Sequence, residues 1–256
     1  MATTFLEPST VEEFFDYAVG RGFYPSAERL EYLCRWYFRG VPLEGRDVLD
    51  VGCGTGLLAT YARLAGARRC LGIEPESDGA VSGSLCGFRE MIRALRLDGV
   101  DGRSDTMEQV GDREERFDIV SLHHVVNHLD EGAVINLHRS PDARRRFTQI
   151  LAAIPPMLKD GGTLILTDAG RVNLFAPLVR LGVRHPFEPT IEWHKHQEPA
   201  RWAAILRDVG FESIRISWRV PNRLRAVEWL LANPIAARCL TSEFKIVARM
   251  RPAISD

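Results

Sequence analysis

The stretch Val48-Leu49-Asp50-Val51-Gly52-Cys53-Gly54-Thr55-Gly56 constrains this chain more than any other. Arg46 to Val51 reads as a short apolar strand, glycines follow at alternate positions, and Leu57 to Ala65 has helical spacing. In a strand–glycine turn–helix unit, backbone without Cβ atoms lets a ligand come close, and the helix start offers unpaired N–H groups to it. The spacing is G-x-G-x-G, not the G-x-G-x-x-G of dinucleotide sites. Asp50, just before the turn, would repel a pyrophosphate and suits an ammonium group. A second carboxylate is expected at the end of the next strand, about 20 residues on, to hold ribose hydroxyls. Glu74 fills that place, 24 positions after Asp50, where the strand Arg69 to Ile73 ends.

The rest of the chain repeats the alternation. Helices are expected at Val11 to Gly20, Ser26 to Phe38, Gly87 to Leu97, Asp142 to Leu158 (ended around Pro155-Pro156) and Pro199 to Val209. Strands are expected at Phe117 to Leu122, Thr163 to Thr167 after a Lys159–Gly162 turn, Ile214 to Trp218 and Phe244 to Met250. Strands alternating with helices predict an α/β fold: a mostly parallel sheet with helices on both faces. The final two strands have no crossover helix of the usual kind between them, so an antiparallel pair is expected there.

This first motif resembles that of the class I S-adenosylmethionine-dependent methyltransferases. The likeness runs from Arg46 to Met250. It takes in Cys70-Leu71-Gly72-Ile73-Glu74-Pro75, Ser104-Asp105-Thr106-Met107, Phe117-Asp118-Ile119-Val120-Ser121, Leu158-Lys159-Asp160-Gly161-Gly162-Thr163-Leu164 and Trp202 to Phe211. The resemblance implies a Rossmann-like sheet of seven strands with the last antiparallel, and S-adenosylmethionine as cofactor. It implies cofactor contacts from Asp50, Gly52, Cys53, Gly54, Gly56, Glu74, Pro75, Asp105, Thr106, Ser121 and His123. Residues 1–45 are expected to form a helical segment covering the cofactor. Residues 46–256 are expected to form the methyltransferase domain, with cap insertions at 168–198 and 219–242.

All seven histidines lie between His123 and His196. Methylating a hydroxyl requires a proton acceptor, and histidine suits that task near neutral pH. His124 or His194 is the expected base, with His128 beside them as a third catalytic candidate. On a helix, His124 and His128 would share one face and so could hold a divalent metal. The segment is similar to the E-x-x-E-H metal motif of ubiquinone-pathway O-methyltransferases and small-RNA 2′-O-methyltransferases. His124 and Asn127 stand where those families carry glutamates, which argues against Mg²⁺ because hard cations prefer carboxylate oxygen. A metal is therefore not expected.

The two cap insertions contain Phe175, Leu178, Leu181, Trp193, Trp229 and Leu230, too apolar for disorder. Asn173 to His185 reads as a basic amphipathic helix that could rest on a membrane surface. The pattern Glu192–His196 through Leu240–Phe244 is similar to that of bacterial methyltransferases of polysaccharide or glycolipid clusters. The expected partner is a small-molecule hydroxyl acceptor, a glycan or a lipid-linked compound. A net charge of −1 argues against nucleic acid as partner. Five scattered cysteines form no C-x-x-C pair and fit a reducing compartment, the cytoplasm. Met1 to Thr10 lacks a basic flank before an apolar run, so no secretory leader is expected.

Overall fold

A computed structural model describes residues 9–75, 83–187 and 191–251. The chain divides into two compact units, Met1–Val110 and Gly111–Asp256. Among the described residues seven strands form one sheet, in the order β3-β2-β1-β4-β5-β7-β6.

The first unit holds α1 (Val11–Gly20), α2 (Ala27–Phe38), β1 (Asp47–Val51), α3 (Leu57–Leu64), β2 (Arg69–Ile73), α4 (Ser84–Ala94) and β3 (Val100–Arg103). α5 (Met107–Asp112) follows. Thr10 caps α1 in a reciprocal box with Glu13. β1 is buried along its whole length, Asp47 and Asp50 included, so it shows no alternation of buried and exposed residues. It pairs parallel with β2, which pairs parallel with β3. α3 packs on β1 and β2, and α4 on β3. α1 and α2 bring Phe15 and Phe38 to stack on Tyr61 of α3, with ring centroids 6.2 and 6.0 Å apart.

The second unit holds β4 (Phe117–His123), α6 (Glu131–Asn136), α7 (Pro141–Leu151), β5 (Leu158–Ala169), α8 (Ala176–Arg180), α9 (Pro199–Asp208), β6 (Phe211–Trp218), α10 (Glu228–Leu231), α11 (Pro234–Cys239) and β7 (Glu243–Met250). β4 and β5 are parallel. β7 runs antiparallel to both β5 and β6, which places the last strand between them. The seven-stranded, mostly parallel sheet with an antiparallel last strand is thus the one expected. Phe147 of α7 meets Trp202 of α9 edge to face at 5.1 Å, and both are fully buried.

Several local expectations are corrected. The helix expected over Asp142 to Leu158 stops at Leu151, and a 3₁₀ turn at Pro155–Met157 leads straight into β5. The expected Lys159–Gly162 turn lies inside β5 as an irregularity in its register with β4. The helix expected at Asn173 to His185 shrinks to Ala176–Arg180. Its polarity is inverted: Asn173 and His185 are buried, whereas Leu174, Leu178 and Leu181 are exposed. No helix among the described residues is long and apolar enough to cross a membrane.

Candidate active site

In the first unit, β1 delivers Asp50, 2% exposed, to the glycine turn. The N–H groups of Gly52 and Cys53 both donate to the Ile73 carbonyl, at 2.8 and 3.1 Å, so the turn is tied to the end of β2. Gly54 N–H then donates to Oε2 of Glu74 at 2.8 Å. The acidic residue expected to meet a ribose therefore also fixes the loop. Its Oε1 has no hydrogen-bond partner among the described residues.

Gly52, Gly54 and Gly56 all have positive φ (65°, 52° and 72°), a region that side chains with a Cβ rarely enter. Space separates their roles. A Cβ on Gly54 would meet nothing within 4 Å, which leaves open volume beside the Glu74 carboxylate. A Cβ on Gly56 would collide with the Phe88 ring, one on Gly72 would stand 2.6 Å from it, and one on Gly102 2.8 Å. These three glycines make room for one buried phenyl ring. Open space at Gly54, an unpaired carboxylate oxygen and an α3 start without a side-chain cap fit a ribose-bearing ligand. Burial, then the charges of Asp50 and Glu74, pushes the Cys53 thiol up. Pro75 follows Glu74 and is half-buried. Asp105 is buried, with Oδ2 4.0 Å from Arg103 Nη1. Thr106 caps α5: its N–H donates to Gln109 Oε1 at 2.8 Å, and its hydroxyl accepts from Gln109 N–H at 3.3 Å.

In the second unit, β4, β5 and β7 bring polar side chains to one sheet edge. Ser121 is fully buried in β4. His123 ends that strand, and its Nδ1 lies 2.6 Å from Thr167 Oγ1. Burial, then the neighbouring His124, holds the His123 imidazole well below the usual histidine range. His124 has φ +54°, and its N–H donates to the Thr167 carbonyl at 3.1 Å. The backbone here continues the ladder to β5 and then turns, so His124 and His128 do not share a helix. That removes the geometric premise for a metal pair. His128 instead points to Glu131, Nδ1 to Oε1 2.9 Å, with its side chain 59% exposed.

His124 Nε2 lies 3.2 Å from Glu243 Oε1, and its Nδ1 lies 3.9 Å from Asp168 Oδ1. Arg219 Nη1 donates to both oxygens of Glu243, at 2.9 and 2.8 Å. Asp168 is fully buried, and its Oδ1 accepts from Nδ1 of His196 at 2.8 Å. His194 is exposed, and its carbonyl accepts from Arg171 Nη1 at 2.5 Å. Of the three histidines expected to be catalytic, the edge thus holds His124, while His128 and His194 lie out toward solvent. It adds four residues that sequence reasoning passed over: Asp168, Glu243, Arg219 and His196. An acidic residue at the end of a parallel strand, Asp168 after Leu164-Ile165-Leu166-Thr167, was the available signal.

Burial alone would lower the His124 pKa, but the Glu243 hydrogen bond and the charges of Glu243 and Asp168 outweigh it and raise the imidazole. Burial would raise Glu243, yet Arg219 and His124 hold its carboxyl well below the usual range. The two insertions expected to form caps are hydrogen-bonded to each other. Leu174 N–H donates to the Arg238 carbonyl at 2.9 Å, and Asn173 Nδ2 to the Leu240 carbonyl at 2.8 Å.

A family profile described as "Methyltransferase domain" matches residues 26–216. A ubiquinone biosynthesis O-methyltransferase of Azorhizobium caulinodans is 28% identical over 195 residues, covering 75% of this chain and 68% of that protein. Among solved structures, an S-adenosylmethionine-dependent methyltransferase from Mesorhizobium loti superposes with a TM-score of 0.55 at 16% identity, covering 86% of this chain and 99% of that one. The pyocyanin biosynthetic protein PhzM superposes with a TM-score of 0.56 at 17% identity. That match covers 94% of this chain, which spans 62% of the longer PhzM.

Proposed function

The chain belongs to the methyltransferase-domain family, with S-adenosylmethionine as methyl donor, and we propose that it methylates a hydroxyl of a small molecule. The observation that carries the donor half is the Glu74–Gly54 cradle, with an unpaired carboxylate oxygen beside open volume. The bound donor supplies a methyl group on a positively charged sulfur. Asp50, Gly52, Cys53, Gly54, Gly56, Glu74 and Pro75 are the residues we assign to holding it, with Asp105 and Thr106 toward the adenine.

Transfer from a sulfonium is an in-line displacement, so the protein mainly positions the acceptor. A hydroxyl must also lose a proton, and the histidine–carboxylate edge of the second unit is the means for that. The Azorhizobium relative, named for O-methylation in ubiquinone biosynthesis, supports oxygen as the acceptor atom. We assign the acceptor to the glycan or lipid-linked class. Leu181, Trp229 and Ile235 of the cap segments are 80, 84 and 76% exposed, apolar surface that suits a lipid tail or a membrane face.

Calorimetry with S-adenosylhomocysteine tests the donor site. Glu74→Ala should weaken binding at least about tenfold, the equivalent of ~1.4 kcal/mol; unchanged affinity would remove Glu74 from the site. A tritiated-methyl transfer screen against phenols, glycans and lipids tests the acceptor class. Label appearing only on nitrogen acceptors would overturn O-methylation.

A further inference from the structure

The second unit carries an alternating chain of charges: Arg219, Glu243, His124, Asp168, His196. Its two histidines are not equivalent. Both nitrogens of His124 face carboxylates, Nε2 toward Glu243 at 3.2 Å and Nδ1 toward Asp168 at 3.9 Å. Carboxylates on both sides favour the doubly protonated ring, which offers no lone pair. His196 differs. Its Nδ1 is 2.8 Å from Asp168 Oδ1, its side chain is 12% exposed, and its Nε2 has no partner among the described residues. Asp168 is fully buried, and among the described residues its Oδ2 has no hydrogen-bond partner.

We propose that His196 is the general base that takes the acceptor's hydroxyl proton, with Asp168 as the positioning residue that fixes its tautomer and His124 lying between Asp168 and Glu243. This rests on the O-methyltransferase reading above. A buried carboxylate accepting from Nδ1–H leaves the lone pair on Nε2 and stabilises the imidazolium that forms there. In the step itself the acceptor oxygen bonds to the methyl carbon as the carbon–sulfur bond breaks. The electron pair of that bond stays on sulfur, giving a neutral thioether, and the hydroxyl proton moves to Nε2 of His196. The groups facing His196 are Asp168 of β5 and, across it, His124. Glu243 and Arg219 lie beyond His124. Lys195, on its own segment, is occupied with Glu192 at 2.8 Å and Glu131 at 3.4 Å.

The charge bookkeeping agrees with this division. One arginine and two carboxylates leave the chain neutral when a single histidine is protonated. Glu243 and Asp168 raise the His124 imidazole despite its burial, which favours a proton there.

Nitrogen-15 NMR of histidine-labelled protein at pH 8 tests the assignment without any acceptor. His196 should carry its proton on Nδ1 with Nε2 bare, and Asp168→Asn should abolish that preference. A proton on Nε2 of His196 in the wild type overturns the proposal. The kinetic arm uses catechol as the probe acceptor and tritiated S-adenosylmethionine. His196→Asn should lower kcat by about 10²- to 10⁴-fold. It should also remove the limb over which kcat rises with pH, while S-adenosylhomocysteine affinity stays within about twofold. Wild-type kcat and pH limb in His196→Asn, or loss of that limb in His124→Gln alone, would overturn it. If the wild type leaves catechol unlabelled, the tautomer decides alone. Failure of the wild type to bind S-adenosylhomocysteine would instead sink the donor reading and leave the tautomer result standing.

Discussion

At the scale of single residues, the glycine turn separates two requirements that share one motif. Gly54 and Gly56 both hold positive φ, which costs a residue with a Cβ about 1–2 kcal/mol. Only Gly56 also abuts the buried Phe88 ring. Gly54→Ala should therefore lower stability by about 1–2 kcal/mol and abolish S-adenosylhomocysteine binding. Gly56→Ala should add overpacking of about 1–3 kcal/mol. Urea unfolding beside calorimetry checks both; equal stability losses in the two variants would refute the distinction.

His124 gives a residue-scale prediction with a defined sign. Its folded pKa is raised, so the stabilisation is full below the unfolded histidine value of about 6.5 and is lost as pH rises through the folded value. Glu243 is depressed, so its contribution is full above an unfolded value of about 4.3 and fades only in strong acid. The difference in Tm between wild type and His124→Gln should thus be largest near about pH 5–6 and shrink on the alkaline side. His123, lowered by burial and by His124, works in the opposite sense and blunts the acid side of that curve. A difference that grows toward high pH would contradict the His124–Glu243 pairing.

At the scale of elements, periodicity served where an element is long and one-sided. α1 lies where its spacing predicts, and β2 spans the expected residues. β3 was not legible because Val-Asp-Gly-Arg has neither alternation nor an apolar run; pairing with β2 makes it a strand. α8 shows the reverse failure. The stretch around it has helical spacing of leucines, yet Gly182 at φ 85° ends the helix and the leucines face outward. Replacing Leu181, 80% exposed, by Asp should change folding stability by no more than about 0.5 kcal/mol. The same change should reduce co-sedimentation with anionic phospholipid vesicles. Undiminished vesicle binding would free this segment from a lipid role.

At the scale of the whole molecule, metal dependence is the property on which local pattern and folded geometry part. The His124–Asn127–His128 spacing suggests a ligand pair only if the segment is helical. The backbone of His124 is instead pledged to Thr167, and His128 turns to Glu131. Among the described residues no group of three or more histidine, cysteine or acidic side chains is placed to hold an ion. Exhaustive chelation should leave methyl transfer at its starting rate. A loss restored by Mg²⁺ or Zn²⁺ would show that the chemistry needs an ion.

What the sequence determined by itself was the unit proposed to hold the donor: the strand, the glycine turn, Asp50, Glu74 and the alternating α/β order. These are local, because glycine's access to positive φ and the placement of an acid at a strand end are properties of a few consecutive residues. Only the tertiary structure decided the histidine–carboxylate edge proposed to face the acceptor. His196 meets Asp168 across 28 positions and His124 meets Glu243 across 119. No periodicity relates such pairs. They are set by the register of β4, β5 and β7, and by the one left-handed residue that turns the chain away from a helix at His124.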